Sequence, residues 1–470
     1  MYNAYVTRIK NLHKHPNADR LQIGECFGNA IIVSMEYEDN QLGIYFPSDG
    51  QLSVEFAEAN NLIRKKDENG NNIGGYMDPD KRNVTAIKLR GEKSDGLFLP
   101  LKSLETFGDI STLSEGDRID NFNGHEICRK YIPRTQSRRG HYSEGNKTRK
   151  KKVPVAPLFA EHADTEQLAY NLGAFKPGDE IEITLKMHGT SQRTGYLPVF
   201  KGYKRTVWDK LLRREGTPIY DWGYVSGTRR TVLENFEGGY YGSNEFREAH
   251  SKFFEGKLNK GEEIFYEVVG FTHTGAPIMS SCSNKKLNDK EFIKKYGDET
   301  VFSYGCSPNG KSAHHFIDEK WGKAVEISDV PQSDIYVYRM TMTNEDGFTV
   351  EYTPDFMRYR CEQMGVKCVP MLARFIIPDY IQLCDDVGSP QEVNAGEYVK
   401  DIAEKFYDGP DPIGKTHIRE GVVVRIINRP KFCAYKHKNW FFKALEGIVK
   451  VEAETPDMEE AESITENDTE

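Results

Sequence analysis

No run in the 470-residue chain approaches the roughly 20 consecutive apolar residues of a membrane-spanning helix. The first residues, Met1-Tyr2-Asn3-Ala4-Tyr5, do not form the charged-then-apolar pattern of a secretory leader. The eight cysteines are scattered, with no Cys-x-x-Cys pair, so neither a zinc ribbon nor a disulfide framework is expected. Together these absences point to the reducing cytoplasm and exclude a membrane partner. A basic excess is also missing, since the net charge is −9. That deficit is local: residues 451–470 hold nine acids and no Lys or Arg, which leaves 63 acids against 63 Lys and Arg elsewhere. The balanced body therefore leaves a nucleic-acid partner open, and the acidic 451–470 reads as a disordered tail. Hydrophobic residues at 38% and charged residues at 29% fit a soluble globular protein, and the length suggests two or three domains.

Residues 1–128 read as a small β-rich domain. Tyr5 to Ile9, Leu21 to Gly24 and Ala30 to Val33 are strand-like runs separated by Pro, Asn, Asp and Gly turns. His15-Pro16-Asn17-Ala18-Asp19-Arg20-Leu21 and Leu89-Arg90-Gly91-Glu92-Lys93-Ser94-Asp95-Gly96 resemble the matching stretches of tRNA-binding OB-fold domains, which implies a small barrel that binds single strands. Residues 129–152 carry ten Lys or Arg against one acid, Glu144. Arg149, Lys150, Lys151 and Lys152 are consecutive. Such a run forms no core and serves as a linker or as a phosphate-binding arm.

From 153 to 450 the pattern becomes mixed α/β, and its centre is Lys186-Met187-His188-Gly189-Thr190. The stretch before it, Asp179 to Leu185, has strand alternation: Ile181, Ile183 and Leu185 on the core face, Glu182, Thr184 and Lys186 on the other. A lysine at a strand end, with a glycine three residues on, suits a nucleophile that takes a nucleotide onto its amine. Four later stretches bear on it. Ser226-Gly227-Thr228-Arg229-Arg230 closes a strand in charge; Arg229 or Arg230 suits a ribose or a phosphate. Glu267 sits in Glu263-Ile264-Phe265-Tyr266-Glu267-Val268-Val269-Gly270, apolar at both parities, where an ionised carboxylate needs a partner. Tyr336 and Tyr338 are expected on one strand face. Glu420 opens the strand Glu420-Gly421-Val422-Val423-Val424-Arg425, and Lys436 and Lys438 would project together from the next, a costly pair unless an anion lies between them. Pro390 is expected to mark a helix start, with the helix over Val393 to Phe406. His314-His315 has no partner at metal spacing and is left unassigned.

The order Lys-x-x-Gly, Ser-x-x-Arg, buried Glu, Tyr-rich strand, Glu-Gly-x-Val-x-Arg, Lys-x-Lys resembles the covalent nucleotidyltransferase superfamily of ATP-dependent ligases and capping enzymes. His188-Gly189-Thr190 and Ala434-Tyr435-Lys436-His437-Lys438-Asn439 are similar to RNA ligases, and an OB domain ahead of the lysine domain is the arrangement of the Deinococcus-type RNA ligases. One departure is Leu185, where many relatives have Glu. The implied fold is α+β and multidomain: an N-terminal OB-fold barrel (1–128), a basic linker (129–152), a ligase-type nucleotidyltransferase domain of antiparallel sheets (153–450), unrelated to ATP-grasp, and the acidic tail (451–470).

The resemblance implies an ATP-dependent RNA ligase that joins 3′-OH and 5′-phosphate RNA ends, with nicks in a duplex as the substrate in RNA repair. Lys186 would accept AMP, with Lys436 and Lys438 offsetting phosphate charge. Gly189 would leave room for the ribose, Glu267 would hold the ribose or assist with the metal, Arg229 would contact the ribose or an RNA phosphate, and Tyr338 would stack on adenine, with Tyr336 the second choice. Glu420 would hold Mg²⁺, or Mn²⁺ in its place. Arg149, Lys150, Lys151, Lys152 and Arg90 would contact RNA. Lys443 competes with Lys436 and Lys438 for the last motif. The rival readings are a DNA ligase, a GTP-using capping enzyme, and an RNA-binding protein whose ligase domain is inactive.

Overall fold

The computed structural model describes residues 2–66, 72–131, 153–279 except 213, 234, 238–240 and 242, then 290–296, 304, 332–384, 390–392, 394–413, 418–446 and 449–450. Arg149, Lys150, Lys151, Lys152, His314, His315 and the acidic tail lie outside the described residues. The chain divides into two compact units, residues 1–134 with 443–457, and residues 135–442 with 458–470.

The first unit is β-rich. A four-stranded antiparallel sheet runs in the order Leu97–Pro100, Leu42–Phe46, Ala4–Arg8, Arg118–Ile119. Its apolar face joins Val6, Ile44 and Phe46 to Phe56, Leu104 and Ile127 in one core. Phe56 comes from the short helix Val54–Ala59, which Ser53 caps through the Phe56 N–H. A separate meander pairs Lys10–Lys14, Leu21–Cys26 and Asn29–Ser34. The strands expected at the N-terminus are present, but the described ladders do not close into one barrel. Ala4–Arg8 and Lys10–Lys14, on either side of Ile9, pair in different sheets, and Lys10–Lys14 itself carries Asn11 at φ 57° and a register shift between Lys10 and His13. Arg90-Gly91 is the two-residue turn between Ala86–Leu89 and Glu92–Ser94, with both residues at positive φ as a type I′ hairpin requires. It is tied to the other barrel-like stretch. Asn17 Nδ2 donates to Arg90 O at 2.9 Å, and buried His15 lies 3.2 Å from Leu89 O. Lys443 belongs to this unit too, where its ammonium lies 2.8 Å from buried Asp95.

The second unit holds two sheets. The larger, in the order Val232–Leu233, Thr217–Gly227, Thr190–Lys204, Glu262–Gly270, Ser333–Thr343, Thr349–Glu351, is antiparallel along this path, with Lys367–Cys368 added in parallel beside Ser333–Thr343. Glu262–Gly270 is buried at every position, as its unbroken apolar character requires of a central strand. The smaller sheet runs Glu166–Gln167, Ala434–Lys438, Gly421–Ile426, Glu180–Leu185, Met371–Ile376. Ile181, Ile183, Val422 and Val424 supply its core face and pack on Val399 and Ala403 of the helix Ala395–Glu404. That helix starts later than the sequence suggests. Asn394 is its N-cap, accepting from Glu397 N–H, and Pro390 belongs to a short strand, Pro390–Glu392. A second helix, Pro354–Met364, has the expected punctuation: Thr353 as N-cap, Pro at its first position, and Gly365 at φ 71° as its left-handed end.

Candidate active site

Strand pairing places the motifs of the smaller sheet side by side. Glu182 is opposite Arg425, which is opposite Ala434. Thr184 is opposite Val423, which is opposite Lys436. One step further, Lys186 leaves the strand and donates its backbone N–H to Gly421 O at 3.0 Å, and Gly421 is opposite Lys438. Three rows thus cross the face opposite the helix-covered core, and they run from a Glu–Arg end to a lysine end. Gly421 makes the last row possible, because a Cβ there would lie 2.0 Å from His437 O.

At the lysine end the Glu420 carboxylate is 2.5 Å from Lys186 Nζ and 3.2 Å from Lys438 Nζ, with His188 Nδ1 at 3.4 Å. Glu420 is 3% exposed. Burial alone would push its carboxyl upward, but the two ammonium groups and His188 outweigh it and hold the group well below the usual carboxylate range. Lys186, Lys438 and Lys436 thus bring three ammonium groups to the strand ends around one buried carboxylate.

These rows form one wall of a cleft of about 930 Å³, open mouth included. Lys186, Lys436, Thr184, Val423, Glu182 and Arg425 line this side. The larger sheet supplies Glu267, Ser191 and Tyr338, and the segment before the lysine strand supplies His162 and Thr165. Tyr338 and Ser191 join hydroxyl to hydroxyl at 2.8 Å, and the His162 ring meets Tyr338 edge-on at 5.4 Å. Burial, with Arg229 next, lowers His162 to about 3, so it is neutral at the cleft wall. Arg229 reaches the cleft while bound to Asp164 at 2.7 Å, and its carbonyl accepts the backbone N–H of His162.

The cleft therefore gathers Lys186, Lys436, Arg229, Glu267 and Tyr338, with Glu420 and Lys438 joined to it through Lys186. The structure also places Gly189, the two tyrosines and Lys443. A Cβ at Gly189 would meet Val268 O at 2.4 Å, so the glycine lets the lysine loop pass against the central strand. Val337 pairs with Tyr266 and Arg339 with Phe265, which makes Tyr338 the extra residue of a bulge. Tyr338 lines the cleft and packs against the cluster of Tyr336, Leu185, Met187 and Val269. Lys443 is bound to Asp95 within the first unit, whereas Lys436 and Lys438 are in the second. Arg90 is an exposed turn residue of the first unit. Among the described residues no cluster of three His, Cys, Asp or Glu forms a metal cage, and no helix is long and apolar enough to cross a membrane.

His162, Thr165, Glu182, Ser191, Arg425 and Phe432 also line the cleft. The parity of Glu182 with Lys186 was a usable signal for one of them. His162 and Phe432 come from irregular segments, where spacing carries no information.

No family model matches the chain, and no curated protein is similar to it by sequence. Solved structures are similar. Naegleria gruberi RNA ligase with PPi aligns over 94% of this chain and 97% of that chain, at TM-score 0.51 and 15% identity. A mutant of that ligase with ATP and Mn aligns over 95% and 99%, at TM-score 0.52 and 14% identity. Another, with AMP and Mn, aligns over 94% and 98%, at TM-score 0.50 and 14% identity. At such identities the likeness is one of fold, and it extends along nearly the whole of both chains.

Proposed function

We propose that the protein is an ATP-dependent RNA ligase, and the observation that carries this is Lys186 and Lys438 sharing buried Glu420 at the end of a nucleotide-sized cleft. Lys186 Nζ attacks the α-phosphorus of ATP; an N–P bond forms, pyrophosphate leaves, and the amine loses its proton. The AMP then passes to the 5′-phosphate of an RNA end, giving an A(5′)pp(5′)RNA. A 3′-hydroxyl attacks that phosphate, the new phosphodiester forms, and AMP leaves.

Glu420 fixes the position of Lys186 Nζ before the attack. Lys436 and Lys438 supply preformed positive charge where the leaving phosphates gather charge. Tyr338 supplies a ring face for the base, and Glu267 and Arg229 line the wall where a ribose would lie. Glu420 is a buried carboxylate at the lysine end, and one carboxylate completed by water and substrate phosphate oxygens is a donor set that Mg²⁺ or Mn²⁺ accepts. A divalent ion held there supplies Lewis-acid charge to the phosphates. The first unit and the basic residues Arg149 to Lys152 would grip RNA around a nick, with Arg90 on the hairpin turn. An OB-like role for that unit rests on the residues it shares with tRNA-binding domains.

The fold shared with an RNA ligase favours RNA over DNA and over a capping substrate. The test is label transfer: protein, Mg²⁺ and α-labelled ATP or GTP, then denaturation, with Lys186→Ala alongside. Label from ATP that vanishes in the variant supports the reading. Label from GTP alone would move it to capping. No label from folded, nucleotide-free protein would leave a non-catalytic RNA-binding protein. Sealing of nicks with ribose or deoxyribose 3′ ends then separates RNA from DNA ligase.

A further inference from the structure

The end of the cleft opposite Lys186 holds two buried polar atoms without a hydrogen-bond partner among the described residues. Glu182 is 2% exposed; its Oε1 lies 2.6 Å from an Arg358 nitrogen, while its Oε2 accepts no hydrogen bond. Arg425, 9% exposed, donates from Nη2 to Tyr352 O at 3.1 Å, while its Nε–H has no acceptor. The two residues are direct partners across the strands Glu180–Leu185 and Gly421–Ile426, and both line the cleft. Buried polar atoms left unsatisfied are uncommon and costly, and two of opposite kind side by side form a receptor for a ligand with matching donor and acceptor.

The rest of the cleft indicates which part of a ligand arrives there. Lys186 and Glu182 are four residues apart on one strand, about 13 Å at the rise of an extended chain. Lysines occupy the phosphate end. Between Lys186 and Glu182, Val423 pairs with Thr184, and Met187, Val369 and Tyr338 also line the cleft with surface that suits a flat ring. The far end is Glu182 and Arg425, beside Phe432, whose ring lies 4.9 Å from the Arg425 guanidinium carbon.

We propose, resting on the nucleotide-transfer reading above, that Glu182 and Arg425 select the nucleotide by its base edge: Glu182 Oε2 accepts from the 6-amino group of adenine and Arg425 Nε–H donates to the neighbouring ring nitrogen. Arg358 holds the other Glu182 oxygen, so one acceptor remains. Adenine brings one exocyclic amine. Guanine would bring a 6-oxo group, an N–H and a 2-amino group to one acceptor and one donor. A site built to hydrogen-bond a group discriminates strongly against analogues that lack it.

The experiment is lysine labelling of the full chain with α-labelled ATP, purine riboside triphosphate (no 6-substituent) and inosine triphosphate (6-oxo), each well below saturation. The wild type is expected to label from ATP roughly 10- to 100-fold faster than from either analogue. Glu182→Gln keeps the shape and can keep an acceptor toward Arg358 by turning its NH₂ toward the base. Its inosine-to-adenosine labelling ratio is expected to rise at least about tenfold, with label from saturating nucleotide reporting that the variant is folded. Equal wild-type labelling from ATP and purine riboside triphosphate overturns the proposal whatever the variant does. An unchanged ratio in a folded Glu182→Gln protein also overturns it. No label from any of the three is a different pattern; it removes the lysine-transfer reading and this inference with it.

Discussion

Replacing Glu420 by Gln tests how the lysine end is held together. The carboxylate is buried and is the anion within 2.5 Å of Lys186 and 3.2 Å of Lys438. Glutamine keeps the shape and removes the charge, leaving two ammonium groups close together at sites only 14% and 12% exposed. Breaking a buried ion pair by removing one partner costs about 3–5 kcal/mol, because the remaining charge is uncompensated. Here two ammonium groups lose the same carboxylate, so a loss within that range is expected. The assay is urea unfolding at pH 7 after treatment with pyrophosphate, which reverses any transfer of AMP to Lys186. Lys186→Met in the Glu420→Gln background removes one of the two ammonium groups. The double variant is therefore expected to be more stable than the sum of the single losses by about 1–3 kcal/mol.

The same pair has a pH signature. Folding holds the Glu420 carboxyl below its ordinary value, and burial, which opposes this, is outweighed by Lys186, Lys438 and His188. A depressed carboxyl contributes stability that is complete above the unfolded value of about 4.3 and is lost as pH falls through the folded value. The stability gap between wild type and Glu420→Gln is expected to stay constant from pH 7 to pH 5 and to close below about 4.3, measured where both remain folded. A gap that widens on acidification, or strictly additive single variants, would refute the shared-carboxylate account.

Gly189→Ala places a methyl group 2.4 Å from Val268 O on a central strand, so about 1–3 kcal/mol of stability and a large part of lysine labelling should be lost; urea midpoints and label transfer check both. Tyr338→Phe removes a hydroxyl pair with Ser191 and should cost about 1 kcal/mol while keeping the ring. Tyr338→Ala should instead raise the ATP concentration needed for half-maximal labelling, and unchanged nucleotide dependence would dismiss the stacking role. Glu263, beside fully buried Arg193, is pushed up to about 7 by burial against the pull of that guanidinium. A raised carboxyl binds its proton more tightly folded than unfolded, so its contribution is complete below about 4.3 and declines as pH rises toward 7. Glu263→Gln should remove that slope, on the order of 2 kcal/mol between pH 4.5 and 7, in urea titrations across the range.

Local alternation was legible wherever a strand had one wet face. Ile181, Ile183 and Leu185 went to the core, and Glu182, Thr184 and Lys186 to the cleft side, as period two requires. The fully apolar Glu263 to Gly270 was legible as a central strand for the opposite reason. What was not legible had a physical source that composition does not carry. Gly189 was read from the ligand's side, whereas the tight neighbour is the chain's own Val268 carbonyl, known only once Thr190–Lys204 pairs with Glu262–Gly270. The described ladders do not close into one barrel, because Ala4–Arg8 and Lys10–Lys14, on either side of Ile9, pair in different sheets.

The partners of the charged motifs follow from register rather than from spacing. Lys186, Glu420 and Lys438 are separated by 234 and 18 residues, and nothing in either interval states that they meet. They meet because three strands of one sheet end together: Leu185 pairs with Val422, and Val422 with His437, which fixes where the next residue of each strand must stand. The same two pairings, followed in the other direction, bring Glu182 to Arg425. A one-residue slip of Gly421–Ile426 would turn Val423 and Arg425 into the core and carry Val422 and Val424 to the cleft. The apolar residues that hold the register, Ile181, Ile183, Val422 and Val424, are thus what aligns a lysine end with a base-reading end. Truncating Val424, which pairs with Ile183 and touches none of the charged groups through its core-facing side chain, should therefore weaken labelling with ATP and with inosine triphosphate alike. Glu182→Gln should instead change their ratio, so the two variants separate the frame from the contact.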